Sequence, residues 1–292
     1  MPGVGQASAA ITVVNALPTG VGCAIGIELF ARAEVTVRPV ASAAGGTWNV
    51  PADARTPLVE EALRTALDRF FPRATVEATL SLRSEIPAGR GLKSSSAVAS
   101  AVLGAVARSA EATVSAVDLA RLSAAVGRRA GTSATGAFDD ALAGLRPGFV
   151  VTDNLHDTVL GEGEVDPEYE VALLVPPTTH RPSPEWAAAF RAQADDGTRA
   201  VQAAREGRWW DAMDRNTELV ERVMGYRYSD LRHDLRRRGA VASGVSGLGP
   251  ALATVAPGRR IEEVLDLLPS DSGERLRVPL RRSSEPSGGD RP

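Results

Sequence analysis

The chain has 292 residues, 43% hydrophobic and 24% charged, with a formal net charge of -3 at pH 7. That is enough apolar material for one large core or two packed ones, which excludes disorder of the whole chain, while the acidic balance excludes a general nucleic-acid binder, since such a protein needs a basic face. Apolar runs are interrupted well before the roughly 18 residues of a membrane span, and no basic-then-apolar leader opens the chain, so a soluble cytoplasmic protein without membrane contact is expected.

Ile11 to Val40 is rich in Val, Ile and Thr with glycine punctuation, which predicts two or three strands and a turn around Leu17 to Gly22. Pro57 to Phe70 places Val59, Leu63, Ala66, Leu67 and Phe70 on one stripe with proline in the first turn, which predicts a helix. Val76, Ala78, Leu80 and Leu82 alternate with polar residues, so a half-buried strand runs into the loop Glu85 to Gly91. Beyond the loop, Ser94 to Ser109 reads as a small-residue helix. Ser115 and Asp118 resemble a capping box for a further helix reaching about Arg129. Phe149 to Thr152 and Val171 to Val175 read as strands, and Pro184 to Arg238 contains several helical stretches with no strand signal. Val241 to Ser243 and Ala251 to Val255 then flank Gly244 to Pro250 as short strands, before a helix near Ile261 to Leu268 and a strand near Leu276 to Leu280. Residues beyond Arg281 form a polar Ser, Pro, Gly and Arg tail expected to be disordered. Strands cluster between helical runs without the alternation of a doubly wound sheet, so the fold class is α+β. The expected divisions are 1–155, 156–280 and the tail 281–292.

The chemistry is concentrated in Pro87-Ala88-Gly89-Arg90-Gly91-Leu92-Lys93-Ser94-Ser95-Ser96-Ala97. Glycines, hydroxyls and one ammonium meet at a helix start, where free amides and the positive end of the helix dipole favour an anion. The chain has 33 basic residues, and Lys93 is its one lysine. A Gly/Ser linker followed by a capped helix would have a similar composition, but this loop lies between a predicted strand and a predicted helix. A Walker loop is excluded because Leu92, and no glycine, precedes the lysine. A dinucleotide fingerprint fails because Gly20 and Gly22 find their third glycine only at Gly26, one position too far. Cys23 is the one cysteine and His156, His180 and His233 lack ligand-like spacing, so neither a disulfide within the chain nor a cysteine-pair zinc site is expected. Trp209 and Trp210, in a helical run, read as core.

Pro, three residues, Gly-Leu, one residue, Ser-Ser resembles the ATP-binding motif of the GHMP kinases. The variant Gly-Leu-Lys-Ser-Ser-Ser-Ala is similar to the archaeal shikimate kinases within that superfamily, because most members have glycine at the position of Lys93 and alanine at that of Ser96. Gly244 to Pro250 resembles the superfamily's C-terminal Gly-rich motif, although a plain hairpin turn reads equally well. Thr135 to Asp140 resembles the segment that carries the catalytic aspartate in the mevalonate kinase branch, with Asp139 at that position. Val14 to Gly22 resembles the opening of the archaeal subgroup.

The resemblance implies a two-lobed GHMP kinase fold, with a β-rich N-terminal lobe carrying helices and a ferredoxin-like α/β C-terminal lobe. It implies that ATP lies across Pro87 to Ala97 with Mg2+ on Ser95 and Lys93 neutralising the transferred group, and that Asp139 or Asp140 accepts or orients the proton of a shikimate hydroxyl. Asp139 could instead cap a helix. Asn15 and Thr19 are candidates for substrate hydroxyls or simply turn residues. A homoserine or mevalonate kinase of the same superfamily, or a non-catalytic regulator of the same fold that binds nucleotide or sugar, are the competing readings.

Overall fold

Gly3 and Gly5 begin the first strand because a helix lies directly on it: a Cβ on Gly5 would stand 1.9 Å from the Ala101 carbonyl oxygen. The computed structural model describes residues 2–40, 47–72, 74–179 and 183–282. Strand β1 (Gly3–Val14) runs antiparallel to β2 (Val21–Pro39), from Gly3 opposite Val35 to Val14 opposite Cys23. The other side of β2 pairs at its C-terminal half with β4 (Val76–Ser84) and at its start with β5 (Phe149–Asp153). A short β3 (Thr47–Asn49) extends β4, and β6 (Thr158–Gly163) extends β5, giving a six-stranded sheet.

Helix α1 (Pro57–Phe70) is capped by Thr56, whose Oγ1 accepts from the Val59 amide at 3.3 Å, and it buries Leu58, Val59, Ala62, Leu63, Ala66 and Leu67. Helix α2 (Ser94–Ser109) is buried without a break from Ala97 to Ala107. Its side chains are small enough for the helix to sit between β1, α1 and α3 (Ala116–Arg129). Ser115 caps α3 as expected, accepting from the Asp118 amide at 3.0 Å. A six-residue helix, α4 (Phe138–Ala143), follows.

The second sheet has the order β10-β7-β9-β8, all antiparallel, from β7 (Tyr169–Val175), β8 (Ala242–Val245), β9 (Leu252–Pro257) and β10 (Glu274–Pro279). Between β7 and β8 come α5 (Pro184–Arg191), α6 (Ala194–Arg205), α7 (Trp209–Met224) and α8 (Ser229–Arg237), and α9 (Ile261–Leu267) lies between β9 and β10. This is the β-α-β-β-α-β succession of a ferredoxin-like unit. The α+β class and the two-lobed arrangement therefore stand.

The division expected between 155 and 156 cuts the β5–β6 hairpin, because β6 pairs with β5 from Thr158 opposite Asp153 to Gly163 opposite Phe149. The chain passes from one sheet to the other between Gly163 and Tyr169. Trp209 stacks on Phe149 with ring centroids 4.5 Å apart, and Trp210 meets the same ring edge-on, so both tryptophans pack α7 against the first sheet. The expected tail beyond 282 and His180 lie outside the described residues. Among those described, no helix is long and apolar enough to cross a membrane.

Candidate active site

The loop from β4 to α2 turns on three residues with positive φ, Gly89 at 69°, Gly91 at 87° and Lys93 at 64°. Glycine adopts that region freely, whereas lysine does so at a cost of about 1 kcal/mol. Lys93 occupies the N-cap of α2 and its side chain makes no capping hydrogen bond. The first-turn amides therefore carry no side-chain cap and face a cleft that is also lined by Lys93, Ser94, Ser95 and Ser96. Donors, hydroxyls and a cation at the positive end of a helix dipole make a fitting seat for phosphate.

Across the cleft stands α4. Gly136 (φ 85°) and Ala137 (φ 53°) bend the chain into it, and Ala137 is its N-cap. Asp139 is thus in the first turn and does not cap the helix. Its Oδ1 accepts from Asn154 Nδ2 at 2.7 Å, while its backbone amide donates to Asn154 Oδ1 at 3.2 Å. Thr152 Oγ1 donates to the same Asn154 oxygen at 2.6 Å, which fixes the amide's orientation. Asp139 is 4% exposed and packs on Gly22, where a Cβ would meet its Oδ2 at 2.3 Å. Burial raises the Asp139 carboxyl above the ordinary range, against the opposing pull of Lys93 and Asn154.

Asp140 has a different partner. Lys93 Nζ lies 3.2 Å from its Oδ1, with both side chains 12% exposed. Among the described residues Oδ1 has no hydrogen-bond donor besides this ammonium. Burial first, and then the neighbouring Asp139 charge, push the Asp140 carboxyl up to about 7, with Lys93 pulling the other way.

The cleft floor is a seam between the two sheets. Ser246 Oγ donates to the Gly91 carbonyl at 2.7 Å and accepts from the Thr12 amide at 3.2 Å. Thr12 Oγ1 accepts from the Gly247 amide at 2.9 Å, and Asn15 Nδ2 donates to the Gly247 carbonyl at 3.2 Å. A Cβ on Gly91 would stand 2.0 Å from the Ser246 carbonyl oxygen. The segment Gly244 to Pro250 is thus both a hairpin turn and a cleft wall.

Of the residues expected at the site, Gly89, Gly91, Leu92, Lys93, Ser94, Ser95, Ser96, Asp139 and Asp140 line one cleft. Pro87, Ala88, Arg90 and Ala97 do not: Ala97 is buried in the core, and Arg90 turns away to the Pro176 carbonyl. Asn15 lines the cleft, but its carboxamide is already engaged, with Oδ1 accepting from the Leu17 amide at 2.9 Å. Thr19 closes its own turn on Val21. Sequence reading missed Thr12, whose partners Ser246 and Gly247 lie far along the chain, and Asn154, which holds Asp139. It also missed Arg128, which forks onto Asp157 and donates to the Thr135 carbonyl at 3.3 Å, tying down the cleft's 132–137 wall. A clue to Arg128 lay in Gly136, where any Cβ would meet the guanidinium. Among the described residues no three His, Cys, Asp or Glu side chains converge as a metal cage. A divalent cation seated here would take most of its shell from phosphate oxygens and water, as magnesium often does.

The GHMP kinases N terminal domain matches residues 57–148 of the chain. The shikimate kinase of Pyrococcus abyssi is 32% identical over 281 residues, covering 96% of this chain and all of that protein. The shikimate kinase of Archaeoglobus fulgidus is 34% identical over 280 residues, 96% of this chain and 92% of that protein. Among solved structures, the mevalonate kinase of Methanococcus jannaschii superposes with a TM-score of 0.71 at 14% identity, covering 96% of this chain and 98% of that one, a likeness of fold.

Proposed function

Because this chain belongs to the shikimate kinase family of the GHMP kinases, we propose that it transfers the terminal phosphoryl group of ATP to the 3-hydroxyl of shikimate. The observation that carries phosphoryl transfer is the convergence of Lys93 and the Asp139–Asp140 pair at the amide end of α2. The choice of acceptor rests on the full-length relatives, which are shikimate kinases at 32% and 34% identity.

The α2 amides, Ser94 and Ser96 bind and orient the β- and γ-phosphates, and Gly89 and Gly91 let the backbone approach them closely. Lys93 neutralises charge as it spreads over the transferring group. Ser95 would hold magnesium through its hydroxyl, and the ion would supply charge neutralisation on the phosphate oxygens. The shikimate oxygen forms a bond to the γ-phosphorus as the bond from that phosphorus to the β-bridging oxygen breaks, releasing ADP. The hydroxyl proton passes to Asp139, which Asn154 holds in place. Burial favours that uptake by making the Asp139 carboxylate a stronger base than one in water.

An ADP-release assay with ATP and Mg2+ across shikimate, homoserine and mevalonate tests the reading. Saturable turnover is expected with shikimate. Turnover with homoserine or mevalonate in its place would reject the acceptor and keep the chemistry, and no turnover with any of them would reject both.

A further inference from the structure

We propose that Asp140 is a displaceable counter-ion, which holds Lys93 in the nucleotide-free protein and yields it to the nucleotide's phosphates. This rests on the reading of the cleft as a nucleotide site. The two adjacent aspartates are held in opposite ways. Asp139 is clamped by Asn154 through its side chain and its backbone amide. The charge partner of Asp140 is Lys93, and its Oδ1 has no other hydrogen-bond partner among the described residues. One carboxylate is built in and its neighbour is free to lose its partner.

Lys93 is equally poised. Its backbone at the N-cap of α2 is in the left-handed region, and its side chain reaches across to Asp140 on α4. On the far side of the ammonium is the turn at Gly247, where a Cβ would stand 3.1 Å from Nζ, so glycine there leaves the ammonium its space. The groups facing the ammonium are therefore Asp140 on α4, Asp139 beside it, and the Gly247 turn, together with the phosphate seat. With both side chains 12% exposed, the ammonium is stabilised by an anion beside it. A polyphosphate carries more charge than one carboxylate and can replace it. Binding then strands the Asp140 carboxylate beside Asp139, at a cost deducted from nucleotide affinity.

Titration calorimetry with ADP and with a non-hydrolysable ATP analogue, with Mg2+, on the full-length wild type, Asp140→Asn, Lys93→Ala and the double variant tests this. Asp140→Asn is expected to tighten nucleotide binding by about 10-fold, and Lys93→Ala to weaken it by a similar factor. In the Lys93→Ala background the gain from Asp140→Asn should shrink below about 2-fold, because no ammonium remains to be contested. A gain of affinity is an effect that damage to the fold would not produce. If Asp140→Asn lowers or leaves unchanged the affinity, or if the gain is as large without Lys93, Asp140 is not a competitor for the ammonium and the proposal is overturned. Asp140→Ala, with the same expectations, replaces Asp140→Asn if that variant does not fold. A wild type that binds neither nucleotide would overturn the reading of the cleft itself, an outcome distinct from the other two.

Discussion

Asn154 holds Asp139 at two points: its Nδ2 donates to the carboxylate at 2.7 Å, and its Oδ1 accepts from the aspartate's own backbone amide at 3.2 Å. Asn154 is 1% exposed, so removing its carboxamide takes one hydrogen bond from a buried carboxylate and one from a buried amide.

Asn154→Ala is therefore expected to lower kcat by about 10- to 100-fold with little change in the KM for ATP, since the phosphate seat is untouched. It should also cost about 1–3 kcal/mol of stability. Steady-state kinetics and urea denaturation check both numbers. A variant with normal kcat would show that the clamp is purely structural.

Replacing Lys93 separates backbone from side chain. Lys93→Ala and Lys93→Gly both remove the ammonium, and each is expected to lower kcat/KM by about 100- to 1000-fold. The glycine variant should be more stable than the alanine variant by about 1 kcal/mol, because φ at this position is 64°. Equal melting temperatures for the two would contradict the left-handed cap.

Gly91→Ala places a methyl group 2.0 Å from the Ser246 carbonyl oxygen at a φ of 87°. The loop must then part from the Gly244 to Pro250 turn, breaking the Ser246 hydrogen bond to the Gly91 carbonyl. The expected outcome is a loss of about 2–4 kcal/mol of stability together with most of the ATP affinity. Thermal unfolding with and without ADP measures both. A variant with wild-type affinity would disconnect the seam from the phosphate seat.

Burial and the Asp139 charge push the Asp140 carboxyl up to about 7 in the folded protein, against the pull of Lys93. In the unfolded chain an aspartate ionises near pH 4. Between about pH 4 and pH 7 the folded state thus keeps a proton that the unfolded state has released, so this group's contribution to stability falls as pH rises through that window. Urea midpoints at pH 5 and pH 7.5 should fall more steeply for the wild type than for Asp140→Asn. Parallel slopes would exclude Asp140 as the titrating group.

Much of this architecture was legible in the residues. Alternation in Val76 to Leu82, the apolar stripe after Pro57 and the Ser115 cap each carry a local signal, and β4, α1 and α3 lie where those signals point. Helix α4 escaped because its N-cap is Ala137, which offers no capping side chain, and the helix spans six residues. Strand β6 escaped because it lies along an edge in an exposed-and-half-buried alternation, with little apolar signature. At the site, the glycine-rich loop announced itself through its glycines, its serines and a single ammonium. What gives those groups their geometry could not be read locally: Thr12 and Ser246 are 234 residues apart, and the two aspartates were indistinguishable until Asn154 was seen to hold one of them.

The seam of Thr12, Asn15, Gly91, Ser246 and Gly247 also decides how the molecule can move. Because both lobes are stitched together beneath the cleft, a wide hinge opening through the floor would tear several hydrogen bonds at once. Any opening of the cleft is then left to its upper rim, where residues 132–137 are held by Arg128 and by the Thr132 and Ser133 amides donating to the Gly127 carbonyl.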